Sequence, residues 1–226
     1  MNYQTVTSNP NAAPAGNTGS PGDNGNTCAR SGCHTGGPAA TNQMVTLTSD
    51  MPASGYVPGQ TYTMTITMSN GGNKFGFSMS PQTPQGAVVG TLIASGAGTT
   101  LNGSSKYLTQ TQAGTSGSGT KVYTFQRTAP QAGSGTVTFY GAFNFANGNG
   151  NTSGDVILSD SFVFNESSVG ISEAALALIS VFPNPVIDDI HVAAKDVDEE
   201  IMITLFNIEG RKVLEETHKG GDISID

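Results

Sequence analysis

Between Thr61 and Met68 the chain alternates strictly, with Tyr62, Met64, Ile66 and Met68 interleaved by Thr61, Thr63, Thr65 and Thr67. Successive side chains of an extended chain point to opposite faces, so this segment has one apolar face and one hydroxyl face. Such a strand lies on a core, and the core needs a second layer to close it. The same period returns in Phe75, Phe77 and Met79 after Gly71-Gly72, and in Val137, Phe139, Gly141, Phe143 and Phe145. Met44–Thr48, Ala87–Ile93, Lys106–Thr111, Lys121–Arg127 and Val156–Phe164 complete the set. Strands at this spacing, separated by Gly, Asn and Ser turns, predict an all-β, two-sheet sandwich over residues 41–165. Charged residues make up only 12% of the chain, which leaves little Lys or Glu to clothe exposed helix faces.

Charge separates this region from the C-terminal residues. Residues 1–165 carry a net charge of +1, whereas residues 166–226 hold 13 acids and 4 bases. A break this sharp marks units with different surfaces. Neither has a basic stripe, which argues against a nucleic-acid partner. Residues 1–40 are rich in Gly, Pro, Asn and Thr and poor in large apolar side chains. They are expected to form an extended arm, pinned only around Cys28 and Cys33. Residues 166–176 read as a linker. Residues 177–226 read as a small, incomplete β unit, with strands at Leu178–Phe182, Ile190–Ala193, Ile201–Asn207 and Lys212–Glu216. The third has apolar residues on both faces and is expected to be buried on both where the small unit is whole. The chain stops at Ile225-Asp226 in what reads as the start of another strand, an expected truncation.

No apolar run approaches the roughly 20 residues that a membrane-spanning helix needs. Met1 to Asn11 is polar and lacks the apolar stretch of a signal peptide, so an exported form is expected to be mature or trimmed.

Cys28-Ala29-Arg30-Ser31-Gly32-Cys33-His34 is the sharpest chemical signal. Covalent haem attachment needs two neighbouring thiols for the two vinyl groups and a His directly after the second to ligate iron. The usual spacer is two residues; here it is four. On this reading Cys28, Cys33 and His34 hold haem c, His34 binds the iron, and Met44 is the nearest thioether in sequence for the second axial position. The competing reading is a disulfide between Cys28 and Cys33, formed in an oxidising compartment. Zinc would find only three ligands here. The 147–155 loop, with Asp155 as its one charged oxygen donor, is a weak calcium site and a natural long turn.

Catalytic chemistry finds few residues. A Ser–His–acid triad in the first 165 residues could use only His34. Paired carboxylates would have to come from Asp23, Asp50, Asp155 and Asp160, which flank strands or lie in turns. The reading is therefore non-enzymatic.

Two resemblances add to this. Val181-Phe182-Pro183-Asn184-Pro185, then Ile190-His191-Val192, then Leu205-Phe206-Asn207-Ile208-Glu209-Gly210-Arg211-Lys212-Val213 resemble a type A sorting domain of the type IX secretion system. That resemblance implies a Bacteroidetes-type bacterium, recognition of residues 177–226 by the type IX secretion machinery, and cleavage of the domain during export. Residues 16–165 resemble the choice-of-anchor V family, an Ig/Reeler-like sandwich. The carrying residues are Thr18-Gly19-Ser20-Pro21-Gly22-Asp23, Gly55-Tyr56-Val57-Pro58-Gly59, Lys74-Phe75-Gly76-Phe77, and Gly135–Asn144 with Gly148–Asp155. It implies fold and location. Together these readings describe an extracellular or outer-surface protein that acts as a structural or adhesive module, with a single-haem extracellular electron carrier as the alternative.

Overall fold

Two antiparallel sheets form the larger unit of the chain. One has the order β1 (Met44–Ser49), β2 (Thr61–Ser69), β7 (Lys121–Thr128) and β4 (Thr91–Ile93). The other has the order β5 (Thr99–Asn102), β6 (Tyr107–Gln110), β3 (Lys74–Gln82), β8 (Val137–Ala146) and β9 (Val156–Phe164). The computed structural model describes residues 8–35, 37–167, 179–185, 188–194, 200–219 and 221–225. The chain divides into units 1–168 and 169–226.

The alternating pattern sets the core. Tyr62, Met64, Ile66 and Met68 of β2 are buried, while the threonines between them are half-buried or exposed. They share one cluster with Tyr123 and Phe125 of β7 and with Phe75, Phe77, Met79, Phe139 and Phe143 of the other sheet. Rings meet between the sheets: Phe77 and Tyr123 have centroids 4.7 Å apart, and Phe125 and Phe139 6.3 Å. Burying a side chain of this size contributes about 1.5–3 kcal/mol, so this seam is the main stabilising feature of the unit. A Cβ at Gly141 would run into the Phe143 ring, which explains the gap in an otherwise aromatic face.

β3 departs from the half-exposed pattern, because every residue from Phe75 to Gln82 is buried. Its second face, with Ser78, Ser80 and Gln82, lies under the N-terminal segment. The Gln82 amide donates to Ser20 Oγ at 2.7 Å and its carbonyl oxygen accepts from Gly22 N–H. Thr109 Oγ1 accepts from Ala13 N–H, and Asn102 donates to the Ala13 carbonyl. A short 3-10 turn, Pro21–Asp23, is capped by Ser20. Its Asp23 carboxylate is buried and accepts from Thr18 N–H, Thr18 Oγ1 and Tyr107 OH. The expected free-running arm is thus corrected: from Ser8 onward it is docked by side-chain hydrogen bonds, which replace the apolar contacts it lacks.

The sandwich also reaches beyond residue 165. Ser167 N–H donates to the Tyr56 carbonyl, Tyr56 N–H donates to the Asn165 carbonyl, and Glu166 accepts from Gly133 N–H and Gly135 N–H. The rest of the expected linker, residues 168–176, lies outside the described residues.

In the second unit, β10 (Ile179–Phe182), β11 (Ile190–Ala194) and β14 (Gly221–Ile225) form one sheet, and β12 (Glu200–Phe206) and β13 (Lys212–Lys219) form a hairpin. The terminal segment read as a strand start is β14, paired with β11. Its core is small: Val192, Ile223 and Ile225, with Ile190, Ile203, Leu205 and Leu214 packed on them. β12 was expected to be covered on both faces. Instead Met202 and Phe206 are 66% and 63% exposed, because a two-stranded hairpin packs only one side.

Candidate functional site

The Cys28–His34 segment folds as consecutive turns. Arg30 N–H donates to the Thr27 carbonyl, Cys33 N–H to the Arg30 carbonyl, and His34 N–H to the Cys28 carbonyl at 2.9 Å. Gly32 sits at φ +82°, a conformation other residues take with strain. The last of these bonds draws the two ends of the motif together, so the four-residue spacer makes a compact loop. Both cysteines are free thiols; Cys28 is buried and Cys33 half-buried. Burial, and next the neighbouring Cys33, push the Cys28 thiol up to about 11.

His34 is tied to a residue 121 positions away. Its Nδ1 lies 2.7 Å from Asp155 Oδ2, with the two side chains 17% and 2% exposed. The Asp155 carboxylate also accepts from Asn147 N–H at 2.9 Å through Oδ1 and from Asn144 Nδ2 at 3.3 Å through Oδ2. Burial acts to raise its pKa, but the hydrogen bonds from His34, Asn147 and Asn144 outweigh it and hold the group below its ordinary 3.8. An ionised carboxylate only accepts, so the proton on Nδ1 belongs to His34, and the neutral ring carries its lone pair on Nε2. The Asn144 amide nitrogen is 3.3 and 3.4 Å from the two ring nitrogens. Near-equal distances put it off both the Nδ1–H axis and the Nε2 lone-pair axis, so it packs against the ring.

Cys28, Cys33, His34 and Asp155 all line one cleft of about 280 Å³ on the arm side of the five-stranded sheet. Pro10, Ala13 and Pro14 give it an apolar wall, and Asn144 a polar one. The volume is near the lower end for pockets that take a small organic molecule. Asn17 Oδ1, in the lining and on a residue 2% exposed, has no hydrogen-bond partner among the described residues; nor has Asn144 Oδ1.

The structure therefore unites three of the four residues singled out by sequence. Met44 stands apart, 53% exposed at the start of β1 in the other sheet and outside the cleft lining. Met64, Met68 and Met79 are core residues. Among the described residues no three His, Cys, Asp or Glu side chains are grouped to hold a metal ion by themselves. In the 147–155 loop the amide oxygens are already engaged: Asn147 Oδ1 accepts from Asn149 N–H and Asn149 Oδ1 from Asn151 N–H. That accounts for the Asn-Gly spacing as a chain of turns.

Asp155 and Asn144 escaped the sequence reading as partners of His34. One signal was present in the glycines after the motif. A Cβ at Gly37 would fall onto the Asp155 carbonyl, so this glycine lets the motif's exit segment lie directly against the loop.

Residues 180–226 match the secretion system C-terminal sorting domain family. No curated protein matches the chain in sequence. Among solved structures, human F-spondin reeler domain fragment 1 is similar over 56% of this chain and 94% of its own, at 15% identity and a TM-score of 0.41. Fragment 2 of that domain gives 57%, 95%, 15% and 0.40. A type II cohesin domain from the cellulosome of Acetivibrio cellulolyticus gives 54%, 95%, 13% and 0.30. The sorting tail implies export to the cell surface or into the medium through the type IX machinery. No helix among the described residues is long and apolar enough to cross a membrane.

Proposed function

We propose that the chain is an exported, non-catalytic protein whose sandwich is a mount for one covalently held haem c, serving as a single-electron carrier at the cell surface. The observation that supports this is the convergence of Cys28, Cys33 and His34 on one cleft, with His34 Nδ1 tied to Asp155 and Nε2 left as a donor. Cys28 and Cys33 would form the two thioethers, and His34 Nε2 would ligate the iron. The group, when bound, supplies a one-electron couple.

The chain's own residues hold and shield. The His34-to-Cys28 backbone bond fixes the spacing between thiol and ligand, and Pro10, Ala13 and Pro14 keep one wall dry. The passive reading is supported by how the four acids of the sandwich are occupied. Asp23 takes Thr18 and Tyr107, Asp50 takes Thr63 N–H, Asp155 takes His34, and Asp160 takes Ser161 N–H. Each is committed to a hydrogen bond, and none is bonded to a second carboxylate as an acid–base pair would be.

The test is intact-mass spectrometry and an absorption spectrum of protein from a type IX-secreting host that attaches haem to exported chains. One added haem and a Soret band are the expected result. A loss of two protons at Cys28 and Cys33 would establish a disulfide, and unmodified thiols would leave a structural or adhesive module.

A further inference from the structure

The loop from Asn147 to Asp155 is remote in sequence from the motif, yet it supplies the strongest contact His34 makes. Asp155 is almost wholly buried, sits at the first turn into β9, and is held from two sides by Asn147 N–H and the Asn144 amide. Its approach to the motif is secured again at Gly37, where only a bare Cα fits against the Asp155 carbonyl. Two independent contacts thus bring one carboxylate onto the Nδ1 edge of one imidazole. A side chain placed only to close a turn would need neither the His34 contact nor the glycine.

We infer that Asp155 is a positioning residue for His34: its carboxylate fixes the proton on Nδ1, aims Nε2 into the cleft, and makes the imidazole a stronger electron donor to a bound ferric iron. The iron part rests on the haem reading above; the tautomer part does not. A ligating histidine that donates its second ring N–H to a carboxylate is held in one orientation and gains basicity, and loss of such a partner commonly costs 10- to 100-fold in metal affinity. The negative charge favours the ferric state, so its removal raises the midpoint potential.

Asp155→Ala, Asp155→Asn and Asp155→Glu separate the roles. In the haem-free full chain, 15N NMR of the His34 ring is expected to show a single tautomer protonated at Nδ1, and a mixture in Asp155→Ala. An Nε2-protonated ring in the unaltered chain would overturn the inference. In the haem-bearing chain, Asp155→Asn keeps the shape and removes the charge. A tenfold loss of ferric over ferrous preference would raise the potential by about 59 mV for a one-electron couple, and Asp155→Glu should recover part of it. An unchanged potential in Asp155→Asn, with only the melting temperature lowered, would reduce Asp155 to a turn residue and overturn the iron part. If the unaltered chain takes no haem in its host, the haem reading fails alone, because the NMR arm still decides whether Asp155 sets the His34 tautomer.

Discussion

The two β units of this chain use the same strand chemistry and reach different ends. The sandwich closes a seam of Phe, Met and Tyr side chains between a four-stranded and a five-stranded sheet. The C-terminal unit gathers a cluster of only Val192, Ile223 and Ile225 among its described buried residues and leaves Val181, Phe182, Met202, Phe206 and Val213 exposed. Residues 1–165 are almost neutral, whereas residues 166–226 are strongly acidic. A segment that serves as an export address needs a recognisable surface more than a deep core, and charge keeps such a surface soluble. The sandwich has the opposite character: a deep seam beneath the sheet that carries the cleft.

The largest effect should come from the seam. Phe77→Ala or Phe139→Ala is expected to cost the sandwich about 3–5 kcal/mol in denaturant unfolding. A loss below about 1 kcal/mol would mean that the seam is loosely packed. Next, Ile223→Ala removes one member of the three-residue core cluster of the small unit, at about 2 kcal/mol or more. Limited proteolysis should then remove the C-terminal unit while the sandwich melts as before. A sandwich transition that moved with it would break the comparison. Arg127 is fully buried, lies over the Tyr56 and Phe139 rings at 5.5 and 4.9 Å, and has no hydrogen-bond partner for its guanidinium among the described residues. Its burial cost competes with two cation–π contacts, so Arg127→Met should change stability by no more than about 1 kcal/mol.

Two smaller effects depend on pH. In the haem-free chain the Cys28 thiol stays protonated until the pH nears 11, so at pH 8 only about a thousandth is thiolate. Iodoacetamide should therefore label the more exposed Cys33 first, with Cys28 labelling climbing steeply only as the pH approaches 11. Equal rates at pH 8 would contradict the buried placement. Glu166 is held below its ordinary 4.5 chiefly by the Gly135 and Gly133 N–H groups. A depressed carboxylate stabilises above the unfolded value and ceases to do so as pH falls through the folded one. The Glu166→Gln melting difference should accordingly be small at neutral pH, shrink once the pH falls below 4.5, and vanish only when it has passed the lower folded-state value.

The strands were legible because period two reports burial directly, as in Tyr62–Met68. Docking of the arm was not. The hydroxyl face of β2 and the Ser78–Ser80 face of β3 look alike in sequence, yet one stays half-exposed and the other is buried beneath residues 8–35. Hydrogen bonds from Gln82, Thr109 and Tyr107 decide which, and those partners lie 60 or more residues from the arm. β5 was missed because its four residues follow a Gly-rich stretch and alternate too briefly. The chemical motif itself was visible, but its link to Asp155 required the fold.

Iron-edge anomalous scattering from crystals of host-derived protein tests the haem mount most directly. The predicted result is one peak in the cleft, on the Nε2 side of His34, with density continuous to both Cys28 and Cys33. An iron-free cleft in protein from a haem-attaching host, with the two sulfurs bonded to each other or bare, would contradict it.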